Sequence, residues 1–165
     1  LFQAAQVLKT TPGELAGRAE QQMQEMKQLR SALEKFKAQA SLGEATQFLM
    51  AAKELGGLKV LTANRSGLDA NEMRRMGDFL RDKEPGVVGV LASINGEKVS
   101  LLAVCGKEAV AKGIKAGDII KAIAPIVGGR GGGKPDSAMG GGTELLKIDD
   151  ALAAVDDFVA GKLGL

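Results

Sequence analysis

The sequence predicts an α/β (α+β) fold: an N-terminal long-helix αα-hairpin, then a small mixed β-sheet layered with helices and carrying a glycine-rich loop. Three observations lead there. Helix-forming residues follow Thr11-Pro12-Gly13-Glu14 without another proline as far as about Ala40. Two apolar runs, Val87 to Ser93 and Lys98 to Cys105, flank Asn95-Gly96, the clearest hairpin signal in the chain. The run from Val127 to Gly142 is dominated by glycine.

At the N terminus, Thr11 is placed to cap, Pro12 suits a first helical position and Glu14 completes a capping box. Leu15, Ala19, Met26, Leu29, Leu33, Phe36 and Ala40 then follow steps of three and four, with Gln22 in the one gap. That spacing is an a/d seam of roughly four heptads. A helix of this length extends ~40 Å at the usual rise. Leu1 to Lys9 is expected to fold back on it as an antiparallel hairpin turning at Thr10 to Gly13. So short a partner covers only part of the seam. Met26, Leu29, Leu33 and Phe36 are left needing a second surface, by self-association or by docking on other protein.

Gly43 is read as the separator, giving residues 1–43 as a coiled-coil-like dimerisation segment and 44–165 as a globular domain. Within that domain a helix is expected from Glu44 to Leu55, stopped by Gly56-Gly57. Leu58 to Asn64 reads as a strand. Asp69 to Lys83 reads as an amphipathic helix with Met73, Met76, Phe79 and Leu80 inward, Asp69 as cap and Pro85 as stop. The Asn95-Gly96 hairpin follows, then a short helix at Lys107 to Lys112 and a second at Ala116 to Val127. Ile148 to Leu163 closes the domain as a helix.

The glycine run, residues 128–142, is expected to be a loop, because each interior glycine costs a helix or strand about 1 kcal/mol relative to alanine. Arg130, Lys134 and Asp136 set it apart from a plain flexible linker. Glycine permits close backbone approach to a flat or anionic surface, and consecutive amides can form an anion-binding nest. A flexible surface loop is the competing reading.

Other chemistries are poorly supplied. The chain of 165 residues has no His, Trp or Tyr and a formal charge of only +2. The commonest general base and metal ligand are therefore missing, and no global polybasic character points to nucleic acid. Basic residues nevertheless dominate from Lys107 to Lys134, and acidic ones from Asp136 onward. Cys105 stands alone at an expected strand end, where it reads as a small buried residue in a cytosolic protein. With no signal-peptide pattern and no span of about 18 apolar residues in these residues, the chain is expected to be soluble and untargeted. Asp149-Asp150 and Asp156-Asp157 are adjacent pairs, which diverge on a helix and read as solvated. Lys134 precedes Pro135, not the Ser or Thr of a P-loop. A helical start at Leu1 without Met is expected of a piece cut from a longer protein.

The motif Gly-Gly-Arg-Gly-Gly-Gly-Lys-Pro-Asp-Ser-Ala-Met-Gly-Gly, residues 128–141, resembles the glycine-rich signature of the C-terminal domain of bacterial alanyl-tRNA synthetases. Gly86 to Ala92 with Gly96 to Leu101 resembles that family's central strand pair, Gly117 to Ile120 the helix entering the motif, and Ala151 to Val155 its last helix. Met139 stands where the family often has Ala or Gln. The resemblance implies a non-catalytic domain that binds the tRNA elbow, where the D and T loops meet, and supports charging and proofreading by domains elsewhere in the chain. It implies ATP, magnesium and zinc only for those other domains, and none here. Its partners would be alanine tRNA, the catalytic and editing domains, and a second copy through the helical segment.

On that reading the RNA contacts are Gly129, Arg130, Gly131, Gly132, Gly133 and Lys134, with Lys115 and Lys121 as outer phosphate contacts. Without Trp or Tyr, stacking on splayed bases is disfavoured, whereas a glycine surface can lie flat on bases that are already stacked. Two other readings stay open. One is a structural dimerisation or spacer module. The other is the accessory domain of a DHH-type phosphoesterase, whose related domain carries a His in its glycine motif that is lacking here.

Overall fold

A computed structural model describes residues 12–165. The expected return helix at Leu1 to Lys9 and the Thr11 cap lie outside the described residues. The chain divides into two compact units, up to Ala40 and from Ser41 to Leu165.

Pro12–Glu14 forms a 3-10 turn that leads into α1 (Leu15–Met50). At 36 residues α1 is longer than the sequence predicts, and it passes through Gly43 without a break. Gly43 has no neighbour that would meet a Cβ and no positive φ, so its cost there is only the glycine penalty of about 1 kcal/mol. Burial of Ala45, with Phe48 and Leu49 packed alongside, holds this last part of α1 in the second unit. The helix expected over 44–55 is thus the end of α1 followed by a strand, β1 (Lys53–Leu55). Gly56 and Gly57, with φ of 56° and 83°, form the turn between β1 and β2 (Leu58–Ser66) and do not cap a helix.

α2 (Ala70–Lys83) begins at a full capping box, in which Asp69 accepts from the Glu72 amide and Glu72 from the Asp69 amide. Met73, Met76, Gly77 and Leu80 are buried and Phe79 is half-buried. β3 (Val87–Asn95) and β4 (Lys98–Cys105) form the hairpin, with Asn95 opposite Lys98 and Gly96 at φ 64° in the two-residue turn. α3 (Lys107–Ala111) and α4 (Ala116–Ile123) follow, and Pro125 ends α4 in a 3-10 turn, Ala124–Val127.

The largest correction is the glycine run. It is not a loop but a hairpin of two strands, β5 (Arg130–Gly133) and β6 (Ser137–Gly142), joined by residues 134–136. A 3-10 turn, Leu145–Lys147, leads into α5 (Ile148–Leu163).

The six strands form one sheet in the order β1-β2-β3-β4-β6-β5, with β2 and β3 parallel and the other neighbours antiparallel. Alternating side chains divide its cores. On one face Val88, Val90, Leu101 and Ala103 pack with Ile119, Ile120 and Ile123 of α4 and Ala151 and Val155 of α5. On the other, Leu61, Leu91, Leu102 and Val104 pack with Met73, Met76 and Leu80 of α2 and with Ala45. The domain from Ser41 is therefore a three-layer α/β/α unit. At its rim Lys53 Nζ donates to Asp156 Oδ2 at 2.8 Å, which raises the Lys53 pKa. The Lys59 ammonium and the Gly86 amide hold the Glu84 carboxyl below its usual range. Arg65 pairs with Glu44. Among the described residues no helix is long and apolar enough to cross a membrane.

Candidate nucleic-acid interface

The glycine hairpin occupies one edge of the sheet, with β5 outermost. Its register sets Arg130 opposite Gly141, Gly131 opposite Gly140, Gly132 opposite Met139 and Gly133 opposite Ala138. With so few side chains, the strands approach the helix beneath them by backbone. A Cβ on Gly131 would lie 2.5 Å from Ile120 Cγ2 and would overlap the Gly140 Cα. One on Gly140 would lie 2.7 Å from the same Ile120 methyl. At the other end of the hairpin a Cβ on Gly117 in α4 would lie 2.8 Å from the Gly133 carbonyl oxygen. These glycines are spacers that let α4 reach the sheet.

Gly129 is equally confined, since a Cβ there would overlap the Gly141 carbonyl. Gly132 is different. Strand alternation turns it away from α4, and the nearest atom to its Cβ would be Lys121 Cε at 3.7 Å. Of the six glycines and cations read as contacts within residues 129–134, only Arg130, Gly132 and Lys134 are free of a packing duty. Arg130 and Lys134 are exposed at the two ends of β5. Lys121 extends from α4 to the backbone at Gly132, and Lys115 is the exposed N-cap residue of α4. The expected cations thus gather around one strand. Charges flanking a short edge strand also protect it from pairing with another chain, a role that requires no ligand.

Pro135 and Asp136 have a structural task that the sequence did not disclose. The Ala116 amide donates to the Pro135 carbonyl at 2.8 Å and the Cys105 amide to the Asp136 carbonyl at 3.0 Å. Arg81 Nη1 donates to Asp136 Oδ2 at 2.9 Å while Nη2 donates to Asp78 Oδ1 at 2.8 Å. The connection is therefore clamped to α4, β4 and α2, which fixes Lys134 beside it. A cleft of about 640 Å³ opens there between Arg81, Pro85, Cys105, Lys107 and Asp136. Burial, with a smaller effect from Asp136, pushes the Cys105 thiol up to about 12. It is a protonated, packed thiol and not a nucleophile. Among the described residues no three His, Cys, Asp or Glu side chains come together.

The other predicted set lies in the first unit. Met26, Leu29, Leu33 and Phe36 are 53%, 70%, 54% and 71% exposed along α1, with Met23 beside them at 69%. They form an apolar stripe for which the described residues supply no partner.

Comparison with known proteins finds relatives along almost the whole chain. The DHHA1 domain model matches residues 57–161. The alanine–tRNA ligase of Saccharophagus degradans is 38% identical over 161 residues, 98% of this chain and 18% of that protein. That of Cupriavidus necator is 39% identical over 163 residues, 99% of this chain and again 18% of that protein. The chain therefore spans about a fifth of the length of these curated relatives. Among solved structures, the C-Ala domain of Aquifex aeolicus alanyl-tRNA synthetase superposes with a TM-score of 0.62 at 25% identity, covering 66% of this chain and 97% of that one.

Proposed function

The chain belongs to the DHHA1 domain family, and from that premise we propose that it is the C-terminal tRNA-binding domain of an alanine–tRNA ligase. The observation that carries this reading is its likeness to nearly the whole of the Aquifex aeolicus C-Ala domain, together with relatives matched across almost the entire chain. In this reading the catalytic and editing domains lie elsewhere in the same polypeptide, which acts as an ATP-dependent ligase in the cytoplasm. ATP, magnesium and zinc belong to those domains. Among the described residues no group of three or more His, Cys, Asp or Glu is placed to hold a metal ion.

The domain binds the elbow of the tRNA. Arg130 and Lys134 neutralise phosphates while the glycine strand lies flat against stacked nucleotides. Such contacts recognise tRNA shape and add affinity with little preference for the alanine acceptor. The test is a titration with folded tRNA at two salt concentrations, with an RNA hairpin lacking the elbow as control. Salt-sensitive binding that requires the elbow is expected. Equal affinity for the control would leave the domain as a spacer.

A second reading, compatible with the first, concerns α1. Its exposed stripe at Met26, Leu29, Leu33 and Phe36 favours a homodimer by helix pairing. Leu29→Asp with Leu33→Asp is expected to give a folded monomer where the parent sediments as a dimer. A parent that stays monomeric at high concentration removes this reading.

A further inference from the structure

The glycine hairpin has two faces, and they are not equivalent. Gly131, Gly140 and Ala138 face α4 and the buried core. The opposite face carries Arg130 and Gly132 on β5, and Met139 and Gly141 on β6, continued by Leu102 and Ser100 on β4. On that side α2 packs over β3 and β4, where a Cβ on its Gly77 would lie 2.7 Å from Val104 Cγ1 and 2.9 Å from Leu102 Cδ2. α2 therefore forms a wall beside the glycine strands, and half-buried Gly132 has nothing nearer its Cβ position than Lys121 Cε at 3.7 Å.

The Arg81–Asp136 ion pair identifies which flank of α2 faces β6. Arg74 lies seven residues earlier, two helical turns back along that same flank. Gly77 sits over Val104 and Leu102, so Arg74, one turn nearer the helix start, lies toward the Ser100 end of this face. Lys98 shares the face of Ser100 and Leu102 on β4, lies two residues before Ser100 at the start of the strand, opposite Asn95, and is exposed. Among the described residues, the side chains of Arg74, Lys98, Lys121, Arg130 and Lys134 have no hydrogen-bond or ion-pair partner. The nearby carboxylates of Asp78 and Asp136 are both engaged by Arg81. Cations without a partner thus flank a strip almost without side chains, against the one net negative charge that Asp78 and Asp136 keep when they share Arg81.

We infer that an RNA backbone lies along this open face, and that Arg74 and Lys98 contact its phosphates from outside the glycine motif. This rests on the tRNA-binding reading and adds a direction and two residues to it. A flat floor admits the sugar–phosphate chain closely, and cations on both sides neutralise it without reading its sequence. The glycines on the α4 side hold the floor in place and touch no RNA.

The test compares the whole chain with three variants: Arg74→Ala plus Lys98→Ala, Arg130→Ala plus Lys134→Ala, and Lys162→Ala on α5, across the sheet. Each is titrated with folded tRNA over a range of salt, with matching melting curves as the check on folding. Both double variants are expected to bind about tenfold or more weakly at low salt. Each should flatten the slope of log K against log salt by about 1.4 to 1.8, the value for two lost phosphate contacts. Lys162→Ala should bind like the parent. Arg74→Lys with Lys98→Arg should restore the parent slope. If only the Arg130/Lys134 variant weakens, the inference fails and the tRNA reading stands. If the parent does not bind tRNA, both fail.

Discussion

The β3–β4 hairpin and the β5–β6 hairpin belong to one sheet and are joined through β4 and β6, yet they pack by opposite means. β3 and β4 fill both faces with Val, Leu and Ala side chains that meet helices on each side. β5 and β6 offer backbone, and α4 comes close enough to touch it. The first gains its stability from apolar area removed from water. The second relies on ladder hydrogen bonds and on the space that missing Cβ atoms leave. Glycine density here marks close approach on one face and a surface with few side chains on the other, so one sequence feature serves packing and leaves the face on which recognition is proposed.

Three substitutions press on this contrast, in order of falling effect. Leu101→Ala in β4 empties part of the α4-facing core, where Leu101 is fully buried. A loss of about 2–5 kcal/mol in denaturant unfolding is expected. Next, Gly131→Ala drives a methyl into Ile120 and the Gly140 backbone and should cost about 1–3 kcal/mol. Its neighbour Gly132→Ala meets nothing nearer than Lys121 Cε at 3.7 Å and should be neutral or up to about 1 kcal/mol stabilising. Equal losses at the two positions would break the two-face description of the hairpin.

The smallest effect is on pH dependence. The Cys105 thiol rises from 9.0 unfolded to about 12 folded, so the folded state retains a proton that the unfolded chain releases. Its contribution is complete below pH 9 and is lost as pH climbs toward 12. The exposed Lys53–Asp156 pair acts in the same alkaline direction. Cys105→Ala should therefore flatten, without abolishing, the decline of melting temperature above pH 9. A thiol reagent at pH 8 should label Cys105 only after unfolding, and rapid labelling of the native protein would contradict its burial.

Much of the fold was readable because local chemistry and tertiary environment agree. The Asp69 cap, the apolar spacing of α2 and the alternation of β4 each specify one conformation that the core then rewards. Reading failed where a local signal had two uses. Gly56-Gly57 fits a helix stop or a hairpin turn equally well, and only β1 pairing with β2 decides. Gly43 reads as a break, yet Ala45 buried two residues later carries the helix through it. The glycine run reads as a loop from sequence, and its strands are not legible there because β periodicity is written in side chains that glycine lacks.

The sequence by itself determined the layered α/β class, the apolar stripe of α1 and the cations that flank the glycine motif, since these depend on residue spacing along one element. Only the tertiary structure decided that the motif is a sheet edge, that Gly131 faces a helix and Gly132 does not, and that Arg81 holds Asp136 across 55 residues of chain. The physical reason is that glycine carries no preference between those environments. Its role is set by what approaches it, and what approaches it comes from distant parts of the chain.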